Sequence, residues 1–116
     1  MNNIENYREK IFDDIKHVDE EESEYWYARE LMPILEYSLW QWFSNVLRKA
    51  MENCLNSNHK VSDHFIGTDK MINLAKNAVR NIQDYKLTRY ACYLIAYFFN
   101  NFYIFKEKHP FKVLYV

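Results

Sequence analysis

"KMINLAKNAVRNIQDYKLTRYACYLIAYF", Lys70 to Phe98, changes its hydrophobic period part-way along, and that change sets the fold class. Its first part holds two short runs, Met71–Leu74 and Val79–Leu87, around "AKNA". Two runs around a short turn predict a β-hairpin, with helix as the alternative. From Leu87 onward Ala91, Leu94, Ile95 and Phe98 recur every three or four positions behind Thr88. A threonine hydroxyl accepts from a free N–H of a first helical turn, so this part predicts a capped helix with its core side on those residues. Tyr90, Tyr93 and Tyr97 fall on a neighbouring flank suited to amphipathic packing.

Upstream, "SLWQWFSNVLRKAMENCLNSN" has the clearest helical spacing in the chain, with Trp40, Phe43, Val46 or Leu47, Ala50 and Cys54 facing one side. Ser38 and Gln41 stand at capping-box spacing before it, and Asn56 and Asn58 can end it because asparagine tolerates the left-handed conformation. "ARELMPILEY" predicts a short helix limited by Pro33. "FDDIKHVDEEESEYWYA" predicts a second hairpin with arms Ile15–Val18 and Tyr25–Ala28, although Ile15 and Val18 would then point to opposite faces. Asp19 to Glu22 become its solvated tip rather than a catalytic acid pair. The sum is a small single α+β domain, short β-hairpins packed against about three helices.

The 116 residues suffice for one core and leave no room for a second ordinary domain. We expect residues 1–10 as a lead segment, 11–96 as the domain and 97–116 as an aromatic tail. Cys54 and Cys92 both sit at apolar helical positions, which favours buried thiols in a reducing compartment over a disulfide. "MNNIENYREK" is no secretory signal, and Tyr90–Phe105 is shorter than the ~20 residues of a spanning helix. The expected location is the cytoplasm, away from membrane.

No catalytic constellation emerges. With Gly67 as the only glycine there is neither a phosphate loop nor a dinucleotide fingerprint. Cys54, His59 and His64 match no standard zinc spacing, so neither metal nor cofactor is expected, and the chain reads as a non-enzyme. Charge is informative instead: residues 1–30 carry ten acids and four bases, the remainder six acids and eleven bases. Lys60, Lys70, Lys76, Arg80, Lys86 and Arg89 are interleaved with Asn73, Asn77, Asn81 and Gln83, residue types that bind phosphates through charge and hydrogen bonds. Asp63, Asp69 and Asp84 dilute this run, and two solvated faces without any partner explain the same charge split.

Three blocks are more specific. "EYWYARELMPILEYSLWQWFSNVLRKA" (Glu24 to Ala50), "DHF" (Asp63–Phe65) and "DYKLTRYACYLIA" (Asp84–Ala96) together resemble the bacterial DNA-damage-inducible protein D family. That family is in turn similar to BRO and phage-antirepressor N-terminal domains. The resemblance implies a BRO-N-like α+β domain of DNA-binding type, made in the bacterial damage (SOS) response, without catalysis. It places Trp26, Ala28, Leu31, Trp40, Phe43, Tyr90, Ala91 and Leu94 in the core. Arg29, Lys86 and Arg89 match its polar positions; with Lys70, Lys76 and Arg80 they form the candidate DNA-binding set, open between single and double strands. Salt-bridge and capping roles compete for the same residues.

The chain also departs from the resemblance. Glu36 stands where relatives have a glycine that eases a left-handed helix exit, and Ser23 replaces a turn glycine. "AKNA" replaces a glycine-rich turn. After Ala96, "YFFNNFYIFKEKHPFKVLYV" replaces a polar turn and a long charged region, the pattern of a truncated or frame-shifted member. The readings carried forward are a DNA-binding module, a module contacting a repair or recombination protein through exposed aromatics, and a non-functional fragment self-associating through its tail.

Overall fold

The computed structural model describes residues 11–75 and 78–98. They form a four-stranded antiparallel sheet whose inner face packs against helices. The strands are β1 (His17–Val18), β2 (Glu24–Tyr27), β3 (Phe65–Asn73) and β4 (Val79–Leu87), in the order β1-β2-β4-β3. The helices are α1 (Ala28–Leu31), α2 (Trp40–Asn56), α3 (Val61–His64) and α4 (Arg89–Phe98), with a further helical turn at 11–14. The α+β architecture is the one expected.

Trp26 anchors the core. It is fully buried, its ring stacks on Phe12 at 4.4 Å, and its Nε1–H donates to the Phe12 carbonyl at 2.8 Å, so burying this polar edge costs nothing unpaired. Around it close Leu31, Phe43, Leu47, Ala50, Cys54, Phe65, Leu87, Ala91, Leu94 and Ile95. Of the eight core positions the resemblance implied, Trp40 and Tyr90 are partly exposed and the other six are buried.

Local signals held unevenly. Thr88 caps α4 as expected, its Oγ1 accepting from the Ala91 N–H at 3.2 Å. The α2 capping box does not form: the residue before the helix is Leu39, and no side chain caps it. Ser38 lies one position too early for its hydroxyl to reach the first free N–H groups. At the other end Asn58 adopts φ 65°, the left-handed exit its residue type allows.

The first hairpin is shorter than its sequence reading. Ile15 belongs to the helical turn, its N–H donating to the Ile11 carbonyl, and Ala28 opens α1. Packing Ile15 against the core resolves the facing conflict with Val18. The acidic tip is a turn: Asp19 Oδ1 accepts from the Glu21 and Ser23 N–H groups at 2.8 and 2.9 Å, and Glu22 carries φ 64°. Glu36 has φ 66°, the left-handed exit expected there.

β4 matches its predicted bounds, whereas β3 starts at Phe65, well before the expected Met71. "FIGTDK" has little strand character of its own; full-length pairing with β4 supplies it. The turn residues Lys76 and Asn77 and most of the 97–116 tail lie outside the described residues, while α4 itself runs through Ala96 to Phe98. Among the described residues, no helix is long and apolar enough to cross a membrane.

Candidate nucleic-acid interface

Side chains alternate across a strand, and directly paired residues share a face. Trp26, Leu87 and Phe65 pair across the sheet and point at the helices. The opposite face therefore collects Tyr25 and Tyr27 from β2, His17 opposite Tyr25, Lys86 opposite Tyr27 and Ile66, and further out Asp84, Ile82, Lys70, Arg80 and Ile72. The short helix α1 reaches the base of that face, where the Arg29 N–H bonds Asp84 and Glu30 meets His17, and Lys70 and Arg80 beyond it are exposed.

Aromatic rings cluster on it. His17 stacks on Tyr25 at 5.3 Å, meets Tyr27 edge-on at 4.9 Å, and Tyr25 and Tyr27 meet edge-to-face at 5.5 Å. His17 Nε2 sits 2.7 Å from Glu30 Oε1, tying β1 to α1. The Lys86 ammonium lies 4.9 Å over the Tyr25 ring. A hydrogen bond with Tyr25, then partial burial and neighbouring carboxylates, push the Tyr27 hydroxyl pKa up, so it stays protonated and able to donate.

The six candidate bases divide by geometry. Lys70 and Arg80 are exposed on the outer part of the β3–β4 hairpin and make no ion pair with any described residue; Lys86 joins them on the same face. Arg29 sits at the sheet edge, where β4 has run past the end of β2. Its Nε donates to the Gln83 carbonyl at 2.6 Å and its guanidinium lies 4.0 Å over the Trp40 ring, so it satisfies an edge acceptor that β2 leaves unpaired.

Arg89 is drawn inward. Its Nε and Nη2 donate to the two carboxylate oxygens of Glu24 at 2.7 and 2.9 Å, and its guanidinium lies 5.0 Å from the Trp26 ring. This fork-to-fork geometry is the strong form of the ion pair. Those hydrogen bonds push the guanidinium pKa up, while burial pushes the adjacent Tyr93 hydroxyl up to about 12. Lys76 lies outside the described residues.

Sequence reasoning missed the aromatic half of this face. The signal was present in "YWYA", whose alternation puts one large ring in and two out, but it served only to define a strand. It also misread Asp84 as a diluting surface charge; Asp84 is 2% exposed. His59 and His64 do meet, rings 5.7 Å apart beside Tyr90, yet the described residues contain no group of three or more His, Cys, Asp or Glu side chains suited to a metal ion.

Residues 14–111 match the BRO family, N-terminal domain. The chain belongs to this family. The match of the BRO-N domain runs past Ala96, where the block resemblance had stopped. The chain is also 40% identical over 91 residues to the DNA damage-inducible protein D of Escherichia coli (strain K12), covering 78% of this chain and 33% of that protein. It thus spans about a third of the length of the curated relative it matches. No solved structure matches this BRO-N domain.

Proposed function

We propose that this BRO-N domain is a non-enzymatic DNA-binding module of a bacterial DNA-damage response. The observation that carries the reading is the open sheet face, which sets Tyr25 and Tyr27 among Lys86, Lys70 and Arg80. Rings that present a flat or edge surface offer stacking to any base, and flanking cations track the phosphates. The two-stranded β3–β4 arm adds reach: nine residues per strand extend about 30 Å, and a β-ribbon fits a DNA groove. Kinship to a damage-inducible protein supports the cellular setting. Arg89 serves the fold by pairing with Glu24, and Arg29 contributes at the edge.

Binding of a fluorescent single strand should weaken with salt at a log–log slope of about −2, the value for three phosphate contacts. Lys70→Glu with Arg80→Glu should flatten that slope and cost at least tenfold in affinity at low salt. Salt-independent binding, or a double variant that binds like the parent, would sink the proposal.

A second reading has its own observation. The outer arm exposes Met71 (70%), Val79 (53%) and Leu74 (46%), an apolar end suited to a protein partner. Partner capture that survives the charge reversals but fails in Met71→Ser with Val79→Ser would favour it.

A further inference from the structure

One buried charge is only half used. Asp84 Oδ1 accepts two backbone hydrogen bonds, from Arg29 at 3.0 Å and Tyr85 at 2.8 Å. Its Oδ2 has no hydrogen-bond partner among the described residues, although the residue is only 2% exposed. A buried carboxylate oxygen without a donor is costly, and native structures rarely keep one idle. Asp84 lines a cleft of about 240 Å³ together with Tyr27, Glu30, Asp69 and Lys70. That is below the ~300–1,000 Å³ typical of drug-sized sites, so the cleft suits one ring system rather than a nucleotide or a peptide.

The lining defines the ring. Asp84, Glu30 and Asp69 ask for donors, Lys70 for an acceptor, and Tyr27 offers an apolar ring wall. Phosphate is excluded by the three carboxylates. Among unpaired bases, adenine and cytosine place a ring-nitrogen acceptor next to their amino group, and thymine flanks its single N–H with two carbonyls. Each of these would set a lone pair against a carboxylate. Guanine alone presents an N–H and an NH₂ side by side, with a carbonyl next to them. We propose that the Asp84 cleft is a guanine-selective base pocket, holding the Watson–Crick edge of one unpaired guanine on Asp84 Oδ2 and Glu30, with Lys70 on its O6. This rests on the DNA-binding reading above and adds base selectivity on a single-stranded segment.

The test is fluorescence anisotropy of the full chain with an all-thymidine 12-nucleotide strand and with strands carrying one central dG, dA or dC. The dG strand should bind roughly 5- to 150-fold tighter than the other three, the discrimination expected of a good two-point base contact. Asp84→Asn keeps the shape and an oxygen for the Arg29 and Tyr85 N–H groups but turns an NH₂ into the cleft. It should erase the dG preference, read as the ratio of dG-strand to all-thymidine affinity, while leaving circular dichroism unchanged. Should Asp84→Asn fail to fold, Glu30→Gln serves; its side chain is 40% exposed, it can still accept from His17, and it should lower the preference about twofold or more.

Equal binding of all four strands would overturn the pocket and leave the interface standing, and so would a dG preference that persists in both variants. Absence of binding by every strand would remove the interface and the pocket together. An arginine-rich peptide that displaces the dG strand by occupying the cleft, seen as shifted Tyr27 resonances, would assign it to a protein side chain and overturn the proposal as well.

Discussion

At the scale of single residues, two hydroxyls at similar sequence signals behave differently. Thr88 Oγ1 accepts from the Ala91 N–H and also meets His64 Nδ1 at 2.7 Å, while exposed Ser38 caps nothing. Thr88→Ala should therefore cost about 1 kcal/mol, whereas Ser38→Ala should stay within about 0.5 kcal/mol. Urea denaturation of both variants checks this, and a Ser38 cost equal to that of Thr88 would mean the capping box forms after all. Arg89 carries a related lesson. Its residue type and position fitted phosphate binding and helix-start pairing equally well from sequence, and Glu24, sixty-five positions away, decided between them by supplying both carboxylate oxygens. Glu36 ran the other way: its left-handed φ of 66° was legible through the resemblance, whose members place a glycine there.

At the scale of elements, the β3–β4 hairpin divides into a buried base and an exposed arm. Phe65, Asp84 and Leu87 are buried near the base, whereas Lys70, Met71, Asn73, Val79, Arg80 and Asn81 are exposed. Apart from its pairing with β3, β4 is braced at its inner end, by β2 and α1 through Lys86, Leu87, Asp84 and Gln83 and by Tyr85 against the core. A two-stranded ribbon without a buried face is marginally stable on its own. Native-state hydrogen exchange should accordingly be graded, with strong protection at Tyr85 and Leu87 and weak protection at Met71, Asn73 and Arg80. Uniform protection along the arm would show that something else covers it. An arm of this kind can adapt to a groove or a strand without unfolding the core, which ties its weak bracing to the proposed binding role.

At the scale of the whole molecule, the helices and the inner sheet face close over both cysteines. Cys54 and Cys92 are free and fully buried, and that burial pushes both thiol pKa values up, most strongly for Cys92. Neither should react with a disulfide-exchange reagent in the native protein; reaction should follow the denaturant-induced unfolding curve, and fast labelling of either thiol under native conditions would contradict the closed core. The amphipathic periods of α2 and α4, the cap at Thr88, the asparagine exit from α2, the extent of β4 and the α+β class were all determined by the sequence alone, because each depends on neighbours within one or two turns of chain. The candidate site was legible only in part: its bases stood out by composition, while the Tyr25 and Tyr27 rings were hidden in a strand pattern. Only the tertiary structure decided that "FIGTDK" is strand, that Arg89 turns inward to Glu24, and that Asp84 is a buried carboxylate lining a cleft. Each of these depends on a partner far along the chain, and a contact of that kind is created by strand pairing and burial, which no local pattern of residues encodes.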